Sequence, residues 1–170
     1  IGRVVLLALG GLDGPAHAAQ LGGRGQGLHQ RHHVGGRLLP AVDEAVIAVG
    51  AQAGEGKTQT ALNLATSIAM ELDHTVLLVE ADVLRPSALA RMGVQSNMGL
   101  LDLLASPTTE LPDVLLNTSL PKLTLLPAGT ASSRSTELLA SAAMDRLLEE
   151  LATKYTDRII IFDTPPLLST

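Results

Sequence analysis

The chain is expected to form an α/β domain, a parallel β-sheet with helices on both faces. Three observations predict it. Short apolar runs without polar alternation recur along the chain, as strands buried on both faces do. Stretches with one apolar stripe at helical spacing lie between them. Each run ends in glycine, proline or an acid, which sets a loop at the carboxyl end of the strand. The 170 residues suffice for one such domain and fall short of two.

The first strand is "AVIAVG" at residues 45–50. A helix follows from Thr58, with Ala61, Leu64, Ala65, Ile68, Ala69 and Leu72 on one face. "TVLLVE" (Thr75–Glu80) is the second strand, and "LTLLPAG" (residues 123–129) is the third, stopped by Pro127 and Gly129. Ser141 is placed to cap a helix running to about Tyr155, with Met144, Leu147, Leu148 and Leu151 facing inward. "RIIIFD" (Arg158–Asp163) is the fourth strand. No internal repeat is visible.

Composition narrows the function classes. The chain is 46% apolar and only 1% aromatic, so its core must be aliphatic. A net charge of −5 leaves no basic surplus for general nucleic-acid binding. With no cysteine, disulfides and thiolate metal sites are excluded. The longest apolar stretch, "VVLLALGGL", has about half the 18–20 residues that a membrane helix needs. The chain therefore reads as soluble, or as a soluble part of something larger.

Residues 1–40 differ from residues 41–170. They carry most of the glycines, four of the five histidines (His17, His29, His32, His33), one acid (Asp13) and no lysine. No helix or strand period persists there. The histidines have no carboxylate or cysteine among them and no trusted ligand spacing, so no metal site is expected. An unstructured, weakly basic arm and an extension outside the native reading frame both fit.

Chemistry concentrates at three strand ends. "AQAGEGKTQT" (residues 51–60) has the form G-x-x-x-x-G-K-[ST] with Ala51 in the first glycine's place. A small residue suffices at that position when its φ is negative. Between a strand and a helix this pattern is a phosphate-binding loop. Gly54 and Gly56 let backbone N–H groups turn inward, and the helix start adds its positive dipole end. Ala53, Gly54, Glu55, Gly56, Lys57, Thr58 and Gln59 form the candidate nucleotide cradle. Lys57 can reach the β- and γ-phosphates, and the Thr58 hydroxyl can ligand Mg²⁺. In "VLLVEADVLRPS" a strand ends in Glu80 and Asp82, two residues apart and so directed the same way. They can hold Mg²⁺ or accept a proton. An ordinary turn with solvated acids fits that segment alone equally well. In "IIIFDTPP" four apolar residues end in Asp163, a Walker B pattern that supports a metal shell.

Taken together, "GEGKT", "LLVEADVLRP" and "IIFDTPP" resemble the bacterial tyrosine kinases of capsular and exopolysaccharide synthesis. The segments between them, such as "LPAGTASSRSTELLAS", look most like the exosortase-associated branch. The resemblance covers about residues 45–170. It implies a P-loop NTPase fold, ATP and Mg²⁺ as cofactors, and γ-phosphate transfer to tyrosine, usually on a partner subunit's tail. It implies Lys57, Glu80, Asp82 and Arg85 as catalytic residues, with Glu80 accepting the tyrosine proton, and Thr58, Asp82 and Asp163 as metal ligands. A homo-oligomer and a membrane adaptor of polysaccharide export are implied as partners, with a cytoplasmic location at the inner face of the membrane.

The chain departs from that pattern in several places. Glu80 stands where the family usually has Asp, and the arginine-rich pair after the second acid is reduced to Leu84-Arg85. The helix of acids and arginines used in ring assembly is missing from residues 1–40. The chain is expected to stop just after the Walker B strand, without the later strands, the adenine contacts and the tyrosine-rich tail. Its one tyrosine is Tyr155. Two other readings stay open. Partition- or septum-type switch ATPases share the fold, but they carry an early P-loop lysine that Ala51, Gln52 and Ala53 do not supply. A non-catalytic nucleotide-binding remnant acting as a scaffold is the other.

Overall fold

A computed structural model describes residues 3–9, 33–34, 37–38, 44–50, 54–71 and 73–166. Its strands are β1 (Arg3–Leu9), β2 (His33–Val34), β3 (Arg37–Leu38), β4 (Glu44–Gly50), β5 (Thr75–Glu80), β6 (Leu116–Asn117), β7 (Leu123–Leu126) and β8 (Arg158–Asp163). Its helices are α1 (Lys57–Ala69), α2 (Ala88–Met92), α3 (Leu100–Ala105), α4 (Leu111–Val114), α5 (Ser135–Leu139) and α6 (Ala142–Lys154). Six strands form one sheet in the order β1-β4-β8-β5-β7-β6, while β2 and β3 pair separately as an antiparallel hairpin.

The four strands read from the sequence are β4, β5, β7 and β8. They pair in parallel, with β8 inserted between β4 and β5. Side chains on successive residues divide between the two faces, as the pleat requires. Leu77, Val79, Leu126, Ile160 and Phe162 pack with Leu100, Leu101 and Leu104 of α3 and with Leu147, Leu148 and Leu151 of α6. Val76, Leu78, Leu123, Leu125 and Ile161 pack with Ala61, Leu62, Ala65 and Ala69 of α1. A strand that feeds two cores has no polar face, hence the unbroken apolar runs.

The sequence reading needs three corrections. The sheet is not wholly parallel, because β6 joins its edge antiparallel to β7. Two residues are too short to show a period. The third strand ends at Leu126 and not at Gly129, since Pro127 has no N–H to give a ladder. Residues 1–40 are not uniformly irregular. β1 lies within them and pairs with β4 in parallel from Arg3↔Glu44 to Leu9↔Gly50. Its apolar run does not alternate, and only a long-range partner distinguishes such a run from a buried helix segment. Of the four histidines noted, His33 falls in β2, while His17, His29 and His32 lie outside the described residues, as does Leu72 of the expected first helix stripe.

Local chemistry sets the helix ends. Ser141 caps α6, its Oγ accepting from Ala143 N at 3.2 Å. Asp102, in the first turn of α3, accepts from Gly99 N at 2.9 Å and from Thr130 N at 3.0 Å. Gly99 itself is extended and needs to be glycine for space. A Cβ there would run into the Pro127 carbonyl and the Gly129 N–H. The close approach lets Leu100 N and Leu101 N donate to the carbonyls of Pro127 and Ala128 at 2.7 and 3.0 Å, which ties α3 to the exit of β7.

Truncating Leu77, which is fully buried in the larger core, should leave a cavity. Leu77→Ala is expected to destabilise the domain by about 2–5 kcal/mol, seen as a lower denaturant midpoint at unchanged slope. An equal loss in Met70→Ala, at an exposed site, would show that burial is not the cause.

Candidate functional site

The site lies where β4, β5 and β8 deliver their carboxyl ends to one edge of the sheet. Open α/β sheets bind ligands in this position. β8 is central, so Asp163 stands in register beside Glu80 on one side and Ala48 on the other. Asp163 O also accepts from Ala81 N at 2.8 Å and Asp82 N at 3.0 Å. The sheet's hydrogen bonding thus continues past the last residue of β5 and holds Asp82 against the end of β8.

The loop before α1 has the conformation its glycines permit. Gly54 and Gly56 both have φ of 86°, a left-handed value that costs other residues about 1–2 kcal/mol. A Cβ at either would touch nothing within 4 Å, so the requirement is conformational and not steric. α1 begins directly after Gly56 and has no acid in its first turn. Its first turn thus adds no carboxylate of its own to compete with an anion for the leading N–H groups and dipole. Lys57 opens the helix and is buried at 6% exposure. Thr58 is half-buried, and Glu55 is half-buried at the loop's turn. Gln59 sends its side chain elsewhere. It is exposed, donates to Asn63 Oδ1 at 2.9 Å and accepts from Arg91 Nη1 at 3.0 Å, so only its backbone can serve a phosphate. Ala53, with Ala51 and Gln52, lies outside the described residues.

Three buried carboxylates meet at this edge: Glu80, Asp82 and Asp163. Their environments differ. Among the described residues neither oxygen of Asp163 has a well-formed hydrogen bond. Burial raises its pKa above the usual carboxylate range. The Thr58 hydroxyl favours the charged form without closing a good hydrogen bond. Asp82 and Glu80 push the pKa further up, while Lys57 pulls it down. Asp82 Oδ1 accepts from Arg85 N at 3.2 Å, which folds residues 82–85 into a turn. Glu80 is 1% exposed, with Oε1 accepting from Ala88 N at 2.6 Å and Oε2 from Ala128 N at 3.3 Å. Arg85 is exposed on the same loop.

No group of three or more His, Asp or Glu side chains forms a self-sufficient metal cage among the described residues. A buried carboxylate with two unsatisfied oxygens beside a threonine hydroxyl and a second aspartate does fit a hard cation. Mg²⁺ commonly takes one or two carboxylates and completes its shell with phosphate oxygens and water. Thr58, Asp82 and Asp163 are the residues placed to hold it.

Sequence reasoning missed the partners of Glu80. The i, i+2 spacing put it in the site, but Ala88 and Ala128 are alanines whose contribution is a backbone N–H. No side-chain pattern could have signalled them.

Strand, glycine loop and helix, with acids on the two neighbouring strand ends, define a P-loop NTPase. The chain belongs to the AAA domain family, whose model matches residues 44–170. It is 31% identical over 126 residues to tyrosine-protein kinase YwqD of Bacillus subtilis strain 168, covering 74% of this chain and 52% of that protein. The crystal structure of the VpsO kinase domain superposes with a TM-score of 0.67 at 35% identity, over 75% of this chain and 61% of that one. The septum site-determining protein MinD from Pyrococcus horikoshii, complexed with Mg-ADP, gives 0.61 at 25% identity, over 74% and 50%. The chain thus spans about half the length of YwqD and 18% of tyrosine-protein kinase ptk of Acinetobacter johnsonii, which is 34% identical over 132 residues. Within the family its likeness is stronger to the bacterial tyrosine kinases than to the septum ATPase.

Asp163 yields a prediction with a definite sign. A folded-state pKa above the unfolded value means that the folded protein binds more protons between the two values. Stability is then gained as pH falls through the folded pKa and lost as pH rises through it. At neutral pH the buried charge costs stability. Asp163→Asn is expected to raise the nucleotide-free thermal midpoint by a few degrees at pH 7–8 and to flatten its pH dependence, while abolishing any Mg²⁺ enhancement of nucleotide binding. Calorimetry and fluorescent-ADP titration check the two halves separately.

Proposed function

We propose that the chain is the phosphate- and metal-binding part of an ATP-dependent protein-tyrosine kinase linked to exopolysaccharide synthesis or export. The observation that carries this reading is the convergence of Lys57, Asp82 and the orphaned Asp163 at one sheet edge. The likeness to YwqD and to the VpsO kinase domain supports it.

The roles follow from placement. The loop of residues 54–58 and the start of α1 take the triphosphate, and Lys57 offsets its β/γ charge. Thr58, Asp82 and Asp163 hold Mg²⁺, which when bound neutralises charge on the phosphate oxygens. Arg85 is exposed beside Asp82, free to meet a phosphate or the incoming acidic chain. Tyr155 is not the acceptor. It ends α6, packs half-buried against the larger core, and carries the Arg158 guanidinium 4.9 Å from its ring centroid. The accepting tyrosine then lies outside these 170 residues, whose one tyrosine is Tyr155. The segments between the motifs support the exosortase-associated branch. A homo-oligomer held near the membrane by an export adaptor belongs to the same reading. Among the described residues no helix is long and apolar enough to cross a membrane.

The likeness to MinD favours one other reading, a nucleotide-switched ATPase. The sequence weighs against it, because positions 51–53 hold Ala, Gln and Ala and no lysine. A non-catalytic nucleotide-binding scaffold is the remaining possibility.

One experiment separates the three. The chain is incubated with γ-labelled ATP, Mg²⁺ and a random glutamate–tyrosine copolymer. Phosphotyrosine is expected, unchanged in Tyr155→Phe and reduced about 100-fold or more in Lys57→Met. Phosphate release without phosphotyrosine would support the switch ATPase, and nucleotide binding with neither product would support the scaffold.

A further inference from the structure

We infer that Glu80 is a positioning residue, a buried latch that fixes the loop bearing Asp82 and Arg85, and that it does not accept the substrate's proton. The catalytic half of this inference rests on the kinase reading above. The latch itself does not.

Geometry carries the argument. The Glu80 carboxylate is 1% exposed at the tip of β5. One oxygen receives the N–H of Ala88, the first residue of α2, and the other receives the N–H of Ala128, just beyond β7. Both contacts are buried. The chain leaves β5 at Glu80, passes through residues 81–87 and returns to Glu80 at Ala88. That loop is therefore tethered at both ends to one residue. Its leading end is also sewn to β8 by Ala81 N and Asp82 N, which share Asp163 O. Its interior is turned by Asp82 Oδ1 on Arg85 N.

The second oxygen extends the latch across the sheet. Ala128 gives its N–H to Glu80 and its carbonyl to Leu101 N. Glu80 is thus one residue removed from α3, in a junction already closed by Gly99 and Asp102. A carboxylate accepting from both sides can bring two separate backbone segments to one point. A proton acceptor must, once substrate is bound, bring an oxygen within about 2.6–3.2 Å of its hydroxyl, and Glu80 would have to give up one of these two backbone bonds to do so. Both Glu80 oxygens already face backbone N–H groups inside the protein, and the side chain is closed to solvent. The longer glutamate reach suits the latch, since it spans from the strand tip to two loops.

Substitution at Glu80 separates a latch from a base. Glu80→Gln keeps the shape and one acceptor oxygen but cannot take a proton. As a latch residue, it should retain kcat to within about tenfold, with KM for ATP little changed. Removal of a general base instead costs about 10²–10⁴-fold. Glu80→Leu removes both acceptors. It should lower kcat by about 100-fold through misplacement of Asp82 and Arg85, and Gln at the same position should restore most of that loss. A Gln variant as inactive as the Leu variant would overturn the inference. Should the Leu variant fail to fold, the Gln variant decides alone.

Amide hydrogen exchange tests the latch without any kinase activity. In Glu80→Gln one of the two N–H groups faces an amide donor. At least one of Ala88 and Ala128 should then exchange about tenfold faster or more, while Leu77 and Ile160 in the core stay protected. Unchanged exchange at both alanines would sink the latch. A wild-type chain that makes no phosphotyrosine would sink the kinase reading and leave the exchange result to stand on its own.

Discussion

A buried carboxylate that closes no good hydrogen bond among the described residues is the constraint around which this molecule is arranged. Asp163 sits at the end of the central strand with both oxygens unsatisfied. Two further carboxylates lie nearby, and burial already penalises its charge. Such a group survives in a fold only where something else uses it. The neighbours indicate what that is: a lysine at the mouth of a glycine loop, a threonine hydroxyl and a second aspartate. Such a set fits a cation and a polyphosphate, whose charges would offset what folding leaves uncompensated. The apolar framework gives the rigidity that makes this possible. β8 is clamped between β4 and β5, and its residues feed cores on both faces.

The three acids illustrate how position divides roles among like groups. Asp163 has no well-formed hydrogen bond to either oxygen among the described residues. Asp82 gives one oxygen to its own loop. Glu80 gives both to distant backbone. Read along the chain, Glu80 and Asp82 are a pair, two residues apart on one strand end. In space they diverge, one turned into the junction of α2, α3 and β7 and the other held at the end of β8. The glutamate looks like a departure from a shorter acid when only the site is considered. It looks suited to its place once the two alanine N–H groups are seen.

The edges of the sheet follow another logic. β4 carries the phosphate loop, and a strand with an unpaired side is an adhesive surface. Here β1 covers it in parallel, although β1 lies ahead of the residues matched to the family. On the opposite side the sheet closes with the two-residue antiparallel β6, a short edge that offers little for another chain to extend.

Much of this was legible from the sequence. Apolar runs that never alternate required a sheet covered on both sides, because a half-exposed strand would show polar residues at every second position. Gly54 and Gly56 before Lys57 and Thr58 required a phosphate loop, because few other residues tolerate that backbone and few other contexts need a lysine there. The cap at Ser141 and the acids at the ends of β5 and β8 were equally plain. What sequence could not decide was contact between segments far apart in the chain. β1 shows no period of its own and becomes a strand through pairing with β4. The order that sets Asp163 beside Glu80 comes from crossovers. The partners of Glu80 are backbone N–H groups, which every residue but proline possesses and none advertises. Side-chain type is written in the sequence, so the candidate residues of the site could be named from it. Which oxygen meets which amide is a property of the packed chain, and that alone gave the three carboxylates their different surroundings.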